Sequence, residues 1–155
     1  MNLQKTLLTA FVILQIALTT SLTWAQERID NLTYARTAIK VPEGCLTKSE
    51  YQISDCNGFS AQWLYLNEEM VKQGVNEQIF LQFEQQITYE TKKNIKCTSQ
   101  NQKFKGAKYL LANGTTRIIG FGKVNGIPLI LNLGFEKDPK STSELTEFEK
   151  NFISF

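Results

Sequence analysis

The sequence predicts an α+β fold in which an antiparallel β-sheet packs against two amphipathic helices. Three Asn-Gly pairs, Asn57-Gly58, Asn113-Gly114 and Asn125-Gly126, each indicate a hairpin, because both residue types tolerate the positive φ of a type I′ turn. Two stretches with apolar residues at helical spacing lie between and after the strand regions. Strands, a helix, antiparallel strands and a final helix, in that order, are typical of the α+β class.

Residues 1–25 are expected to be a cleaved signal peptide. Lys5 is the only charge before a mainly apolar run from Leu7 to Leu22, and Thr23-Trp24-Ala25 puts small residues at the −3 and −1 positions of a cleavage site. A retained membrane anchor is the alternative, although the run is short for a span. Residues 26–155 would then form a single α+β domain that is exported, periplasmic or secreted, with no membrane span after cleavage.

Two segments upstream of the first helix are predicted to be strands. They read LTYARTAIKVPEG and YQISDCNGFSAQWLYL, and the second contains the hairpin at Asn57-Gly58. A longer turn from Asp55 to Gly58 is an alternative, so the register of this hairpin stays open. Further along, NIKCTSQNQKF is predicted to be a weaker strand or a loop.

Each of the two helices has a start signal and an apolar stripe. The first, LNEEMVKQGVNEQIFLQFEQQITYE, has Asn67 as N-cap, and Gly74 either kinks or divides it. The second, STSELTEFEKNFISF, begins with a capping box formed by Ser141 and Glu144. The stripes comprise Val71, Val75, Ile79, Phe83 and Ile87 in the first helix, and Leu145, Phe148 and Phe152 in the second.

The stretch GFGKVNG is interpreted as part of a hairpin and not as a phosphate-binding loop. A two-residue turn at Asn125-Gly126 places Gly122 opposite Leu129 and Gly120 opposite Leu131 on one apolar sheet face. A phosphate loop requires glycines between a strand and the N-terminus of a helix. Here a turn and a second strand follow the glycines instead.

The hairpin at Asn113-Gly114 is interpreted with the same two-residue turn. That register places Tyr109 on the apolar face together with Ile118, and Lys108 on the opposite face. The opposite face is mixed in character and also carries Leu110, Arg117, Ile119, Phe121, Lys123, Ile130 and Asn132.

Three cysteines allow one disulfide and one remaining thiol in an oxidising compartment. Cys45 and Cys56 form the candidate pair because they close a short loop. A bridge between Cys56 and Cys97 is nearly as plausible, and three reduced, buried cysteines are the third alternative. Zinc is not expected, because the chain has no histidine and no C-x-x-C motif.

The composition argues against an enzyme. The absence of histidine removes the usual Ser-His and Cys-His nucleophilic schemes. Neighbouring carboxylates occur at Glu68-Glu69 and at Glu147 and Glu149, but both pairs are expected on solvated helix faces and not in a shared cleft. We therefore expect no catalytic residue, no metal and no cofactor.

A basic run from Lys92 to Lys108 holds six lysines and no acid, in a chain of net charge +2. One interpretation is contact with an anionic partner, such as an acidic protein, an envelope polymer or lipid headgroups. The alternative is a solvated loop and edge strand, since lysine protects sheet edges from aggregation. Nucleic acid is not expected, because no arginine cluster or aromatic platform is present. The candidate patch comprises Lys92, Lys93, Lys96, Lys103, Lys105, Lys108, Arg117 and Lys123.

Two N-glycosylation sequons are present, NLT at Asn31 and NGT at Asn113. Whether either asparagine is glycosylated depends on the host.

The segment from Phe104 to the end of the chain resembles the PsbP/Mog1/DcrB-like superfamily of small α+β exported proteins. The resemblance is carried by FKGAKYLLA…TRIIGFGKVNGIPLILNLGF and a final amphipathic segment ending in FISF, and more loosely by the helix from Asn67. It implies an antiparallel sheet between helices and an accessory or binding role. It assigns no functional residue.

These observations together predict an exported, non-catalytic binding or accessory protein of the cell envelope that contacts another macromolecule, expected to be a protein. A periplasmic inhibitor or immunity protein is one alternative, which tight stoichiometric binding to one enzyme would distinguish. A small-ligand carrier that uses the apolar sheet face as a pocket is another, which a large cavity between sheet and helix would favour.

Overall fold

The structure, a computed structural model, describes residues 29–155, which form nine β-strands, two α-helices and two 3₁₀ turns. The signal peptide expected at residues 1–25 lies outside the described residues. The strands are β1 Asn31–Tyr34, β2 Thr37–Lys40, β3 Leu46–Ser49, β4 Gln52–Cys56, β5 Phe59–Tyr65, β6 Tyr89–Ser99, β7 Gln102–Leu111, β8 Thr116–Val124 and β9 Ile127–Phe135. The helices are α1 Glu68–Lys72 and α2 Val75–Gln86, and the 3₁₀ turns cover Thr142–Glu144 and Glu149–Asn151.

Seven strands form one antiparallel sheet in the order β3-β4-β5-β9-β8-β7-β6, and β1 and β2 form a separate two-stranded hairpin. Strand β9 lies between β5 and β8. Its pairing with β5 joins the strands that precede the helices, β3–β5, to the strands that follow them, β6–β9. This antiparallel sheet with its helices confirms the predicted α+β class.

Two Asn-Gly pairs adopt the predicted two-residue turn. The φ angles are 52° and 81° at Asn57-Gly58, and 50° and 78° at Asn125-Gly126, which are the left-handed values that a type I′ turn requires. The second turn fixes the predicted register of β8 on β9, with Gly122 opposite Leu129.

The loop at Asn113-Gly114 is one residue longer than predicted, which exchanges the two faces of β7. The Asn113 side-chain oxygen accepts hydrogen bonds from the N–H and hydroxyl of Thr115 at 3.1 and 2.7 Å, and these local bonds favour a wider loop. Tyr109 therefore pairs with Arg117, and the prediction that it shares a face with Ile118 is wrong. A slip of one residue moves every side chain of a strand to the other face.

Two further hairpins have no Asn-Gly signal and were not predicted as hairpins. Ala35-Arg36 joins β1 to β2 with φ angles of 47° and 70°, and Gln100-Asn101 joins β6 to β7 with 46° and 63°. The segment predicted to be a weaker strand or a loop is thus a long β-hairpin. Non-glycine residues adopt these angles less readily, which is why the local signal is weak.

The first predicted helix is confirmed in position and is divided at Gly74. The Asn67 side chain caps α1 by accepting a hydrogen bond from the Met70 N–H at 2.8 Å. Gly74 has φ of 75°, which interrupts the helix between α1 and α2. Helix α2 ends at Gln86, earlier than the apolar spacing suggests, because the extended strand β6 begins at Tyr89.

The C-terminal segment is not the predicted α-helix. A capping box forms at Thr146 instead of Ser141: the Thr146 hydroxyl accepts from the Glu149 N–H at 3.2 Å, and the Glu149 carboxylate accepts from the Thr146 N–H at 2.7 Å. Ser154 then pairs with Thr98 of β6 through two backbone hydrogen bonds of 2.8 Å. This extended pairing competes with helix formation. The predicted apolar stripe still reaches the core through Leu145, Phe148 and Phe152.

The sheet has two differently covered faces. The hairpin face is covered by the β1–β2 hairpin and the C-terminal segment, and its core includes Tyr34, Phe59, Trp63, Phe104, Ile118, Leu131 and Phe152. The helix face is covered by α1 and α2, and its core includes Leu66, Ala107, Tyr109, Ile119 and Ile130.

The candidate disulfide is present: Cys45 and Cys56 are bonded. Cys97 is a free thiol, and burial raises its pKa to about 11. It faces the apolar core of the hairpin face beside Phe104. The alternatives of a Cys56–Cys97 bridge and of three reduced cysteines are therefore excluded in this structure.

Candidate functional site

The basic side chains predicted to form one patch lie on both faces of the sheet. Lys93 and Lys108 are cross-strand partners on the hairpin face. The prediction that Lys108 shares a face with Arg117 and Lys123 is wrong, because the wider loop at Asn113-Gly114 shifts β7 by one residue. The side chains on the helix face are Lys92, Lys96, Lys103, Lys105, Arg117 and Lys123.

Two helix-face lysines are paired with acidic side chains of the helices. Lys92 donates to the Glu84 carboxylate at 2.5 Å, and this hydrogen bond holds the pKa of Glu84 below its usual value. Lys123 lies 2.7 Å from the Glu68 carboxylate, with both side chains more than half exposed. These two lysines therefore connect the helices to the sheet, and an exposed pair such as Lys123–Glu68 stabilises a fold only slightly.

Lys108 has a structural role on the hairpin face. Its ammonium group lies 2.8 Å from the Asp138 carboxylate and donates to the Pro139 carbonyl at 2.5 Å. Burial alone would raise the pKa of Asp138, but hydrogen bonds from Lys108 and Lys140 outweigh it and hold that pKa below its usual value. The ammonium also lies 4.8 Å from the centre of the Phe155 ring. Lys108 thus fastens the C-terminal segment to the sheet.

The three remaining lysines of the helix face, Lys96, Lys103 and Lys105, form what we call the lysine surface. All three are exposed on the helix face, and none has an ion-pair partner among residues 29–155. Lys96 and Lys105 are direct cross-strand partners. Phe121, which is partly exposed, lies opposite Lys105 on the other side. The surface therefore combines unpaired positive charge with an aromatic side chain.

Arg117 lies apart from the lysine surface, in a groove between the C-terminal part of α2 and strands β4, β5 and β9. This polar groove has a volume of ≈ 580 Å³. Arg117 donates to the Asn132 side-chain oxygen at 3.4 Å, and it has no carboxylate partner in the described part of the chain. The polar and charged groups lining the groove come from Lys48, Gln52, Ser54, Asp55, Ser60, Gln62, Gln86, Arg117 and Asn132.

A smaller hollow of ≈ 270 Å³ adjoins the polar groove, and the two share Gln52, Gln62, Phe83 and Asn132. The hollow is lined largely by apolar side chains, among them two of the most exposed large ones, Tyr51 and Leu64. Sequence reasoning did not identify either cavity. The polar residues Ser60 and Gln62, at alternating positions of an otherwise apolar strand, were the available signal.

The remaining features of the described residues concern metal binding, membrane spans and glycosylation. Within the described range, no group of three or more His, Cys, Asp or Glu side chains could hold a metal ion. No helix between residues 29 and 155 is long and apolar enough to cross a membrane. Both sequon asparagines, Asn31 and Asn113, are exposed.

Comparison of the chain with protein-family models, with curated proteins and with solved structures found no match. The resemblance to the PsbP/Mog1/DcrB-like superfamily therefore stays a prediction.

Proposed function

We propose that this chain is an exported, non-catalytic binding protein whose lysine surface contacts an acidic protein partner of the cell envelope. The observation that carries the proposal is the position of Lys103 and Lys105 on β7. That strand is paired with β6 on one side and β8 on the other. Lysines on a strand with both neighbours in place do not protect an edge, so edge protection does not account for them.

The arrangement of the lysine surface also destabilises the free protein. Like charges directly opposite each other in neighbouring strands destabilise a sheet, and Lys96 faces Lys105 in this way. No carboxylate in the described chain offsets this repulsion. An acidic partner would remove it on binding, so the surface is better suited to a complex than to the free protein.

An aromatic contact supports a protein partner over a purely electrostatic one. Phe121 is partly exposed beside Lys105. Protein interfaces combine buried aromatic groups with a charged rim, whereas contact with a diffuse polyanion needs charge alone.

Export is the second part of the proposal. The Cys45–Cys56 disulfide supports it, since such bonds persist in oxidising compartments. The signal-peptide features of residues 1–25 support it independently.

The experiment compares two triple variants as baits in extracts of the host's envelope and secreted fractions. The test variant carries Lys96→Gln, Lys103→Gln and Lys105→Gln, and the matched control carries Lys40→Gln, Lys72→Gln and Lys137→Gln, three exposed lysines elsewhere. We expect one stoichiometric acidic protein to bind the wild type and the control, and to be lost from the test variant and at high salt. Equal capture by both variants would contradict the proposal. A captured enzyme that loses its activity would identify the inhibitor form of this function.

A further inference from the structure

Arg117 in the polar groove has more hydrogen-bonding capacity than the protein uses. A guanidinium carries five N–H donors, and Arg117 makes one hydrogen bond to the described residues, a long one of 3.4 Å to Asn132. The side chain is partly buried and lines the groove. A partly desolvated arginine without a carboxylate partner is a candidate for binding an anionic ligand group.

The register of the sheet determines which residues surround the Arg117 guanidinium. Ser60 on β5, Gly134 on β9 and Arg117 on β8 lie in one row across three neighbouring strands. A Cβ at Gly134 would lie 2.5 Å from the Ser60 hydroxyl oxygen and 3.5 Å from the guanidinium carbon. Glycine at this position therefore lets a hydroxyl and a guanidinium approach each other above the strand.

The remaining walls offer neutral hydrogen-bonding groups and apolar surface. Gln62 and Asn132 are cross-strand neighbours in the next row of the sheet, and both line the polar groove and the hollow. The hollow adds the apolar side chains of Leu64 and Ile130. A ligand that spans both cavities would place a polar group beside Arg117 and an apolar group over the hollow.

We propose that these two cavities together bind a small amphipathic carboxylate, with the carboxylate on Arg117 and the apolar portion in the hollow. The guanidinium fork matches a carboxylate bidentately. Lys48 and Asp55, which also line the groove, offset each other in formal charge, so Arg117 leaves the lining with a net charge of +1. That charge matches a carboxylate, whereas a phosphate group carries up to two negative charges. This site is independent of the lysine surface.

The first experiment is an NMR titration of the wild-type protein with benzoate and with its neutral analogue benzamide. We expect saturable shifts with benzoate at the backbone amides of Ser60, Arg117 and Asn132, and binding of benzamide weaker by about tenfold or more, because a charge-assisted pair is lost. Equal binding of both compounds, or no shifts in the groove, would overturn the proposal. Inorganic phosphate that displaces benzoate would overturn the ligand class.

The second experiment uses variants whose fold is checked by the same spectra. Arg117→Gln should weaken benzoate binding by about tenfold or more, and Arg117→Lys should restore it only in part, since lysine keeps the charge but lacks the fork. Lys137→Gln removes the same charge from an exposed site outside the groove and should leave binding unchanged. Unaltered affinity in Arg117→Gln would contradict the assignment.

The carboxylate could belong to a free small molecule or to the C-terminus of a peptide. Acetyl-Gly-Phe with a free carboxylate, compared with its C-terminal amide, distinguishes the two sources. Tighter binding of the peptide acid than of benzoate would identify a peptide C-terminus, and the reverse order a free small molecule. A peptide amide that binds as well as the acid would contradict the role of the carboxylate.

Discussion

Lys96 of β6 and Lys105 of β7 lie directly opposite each other on the helix face, two exposed like charges without an acidic neighbour in the described chain. Such a pair destabilises the sheet. The charges of Lys96 and Lys105 therefore weaken the free fold, and the same charges would bind an acidic partner.

The stability of the free protein therefore tests whether Lys96 and Lys105 repel each other. Lys105→Glu replaces the repulsion with an opposite-charge pair and should raise the free energy of unfolding by about 0.2–1 kcal/mol in low salt. The gain should shrink in high salt. Urea unfolding measures it, with Lys137→Glu, an exposed site, as the matched charge control. An equal effect of both substitutions would mean that overall charge, and not the cross-strand pair, determines stability.

Phe104 packs against two glycines of β8, and this contact is open to a double-mutant test. A Cβ at Gly120 would lie 2.7 Å from the Phe104 ring. Gly120→Ala should therefore cost about 1–3 kcal/mol of unfolding free energy. In a Phe104→Leu background the same alanine should cost less, because the ring is gone. Additive effects of the two substitutions would contradict the packing described here.

The cysteine pairing predicts a specific peptide map. Trypsin cleaves after Lys48, so the Cys45–Cys56 bond should link peptides 41–48 and 49–72 in an unreduced digest. The single remaining thiol, Cys97, should resist alkylation in the native protein, because it is buried and its raised pKa of about 11 leaves little thiolate. It should react fully after unfolding without reductant. A linked peptide that contains Cys97 would disprove the pairing.

The contribution of Asp138 should depend on pH. Its pKa is lowered in the folded protein, so its contribution is present above the unfolded pKa, about 4, and is lost as the pH falls through the folded value. Asp138→Asn should thus lower the unfolding free energy at neutral pH by about 1 kcal/mol or less. The difference from the wild type should disappear in acid. A difference that persists unchanged at about pH 2, below both pKa values, would show that the carboxylate charge is not responsible.

The C-terminal segment should matter for stability although it is not an α-helix. Phe152 is fully buried and contacts the rings of Tyr34, Phe59 and Trp63, so Phe152→Ala should cost about 3–5 kcal/mol. Phe155→Ala is the control, since that ring is partly exposed and would lose mainly its contact with Lys108, worth about 1 kcal/mol. Thermal unfolding of both variants measures the difference. Equal losses would contradict the burial of Phe152.

Local sequence signals predict those parts of the fold that local interactions determine. The type I′ turns at Asn57-Gly58 and Asn125-Gly126 follow from residues that adopt positive φ at low cost, and the N-cap at Asn67 follows from one side-chain hydrogen bond. The order of such signals along the chain is enough to predict the α+β class.

The parts that were mispredicted depend on contacts between distant residues or on small competing local bonds. Asn113 bonds to Thr115 and widens a loop by one residue, and this change alone moves Lys108 to the other face. Ser154 pairs with Thr98, 56 positions earlier in the chain, and holds the C-terminus extended. The polar groove arises only when β5 and β9 become neighbours, so neither strand indicates it alone.

The most direct test of the proposed function is zero-length carbodiimide cross-linking of the native protein in its host's envelope extract, read by peptide mass spectrometry. This reagent joins lysines to carboxylates that are in contact. We expect cross-links from Lys96, Lys103 and Lys105 to acidic residues of one partner protein, and their loss at high salt. Cross-links that come instead from lysines elsewhere, such as Lys40, Lys72 and Lys137, would contradict the proposed function, as would the absence of any cross-linked partner.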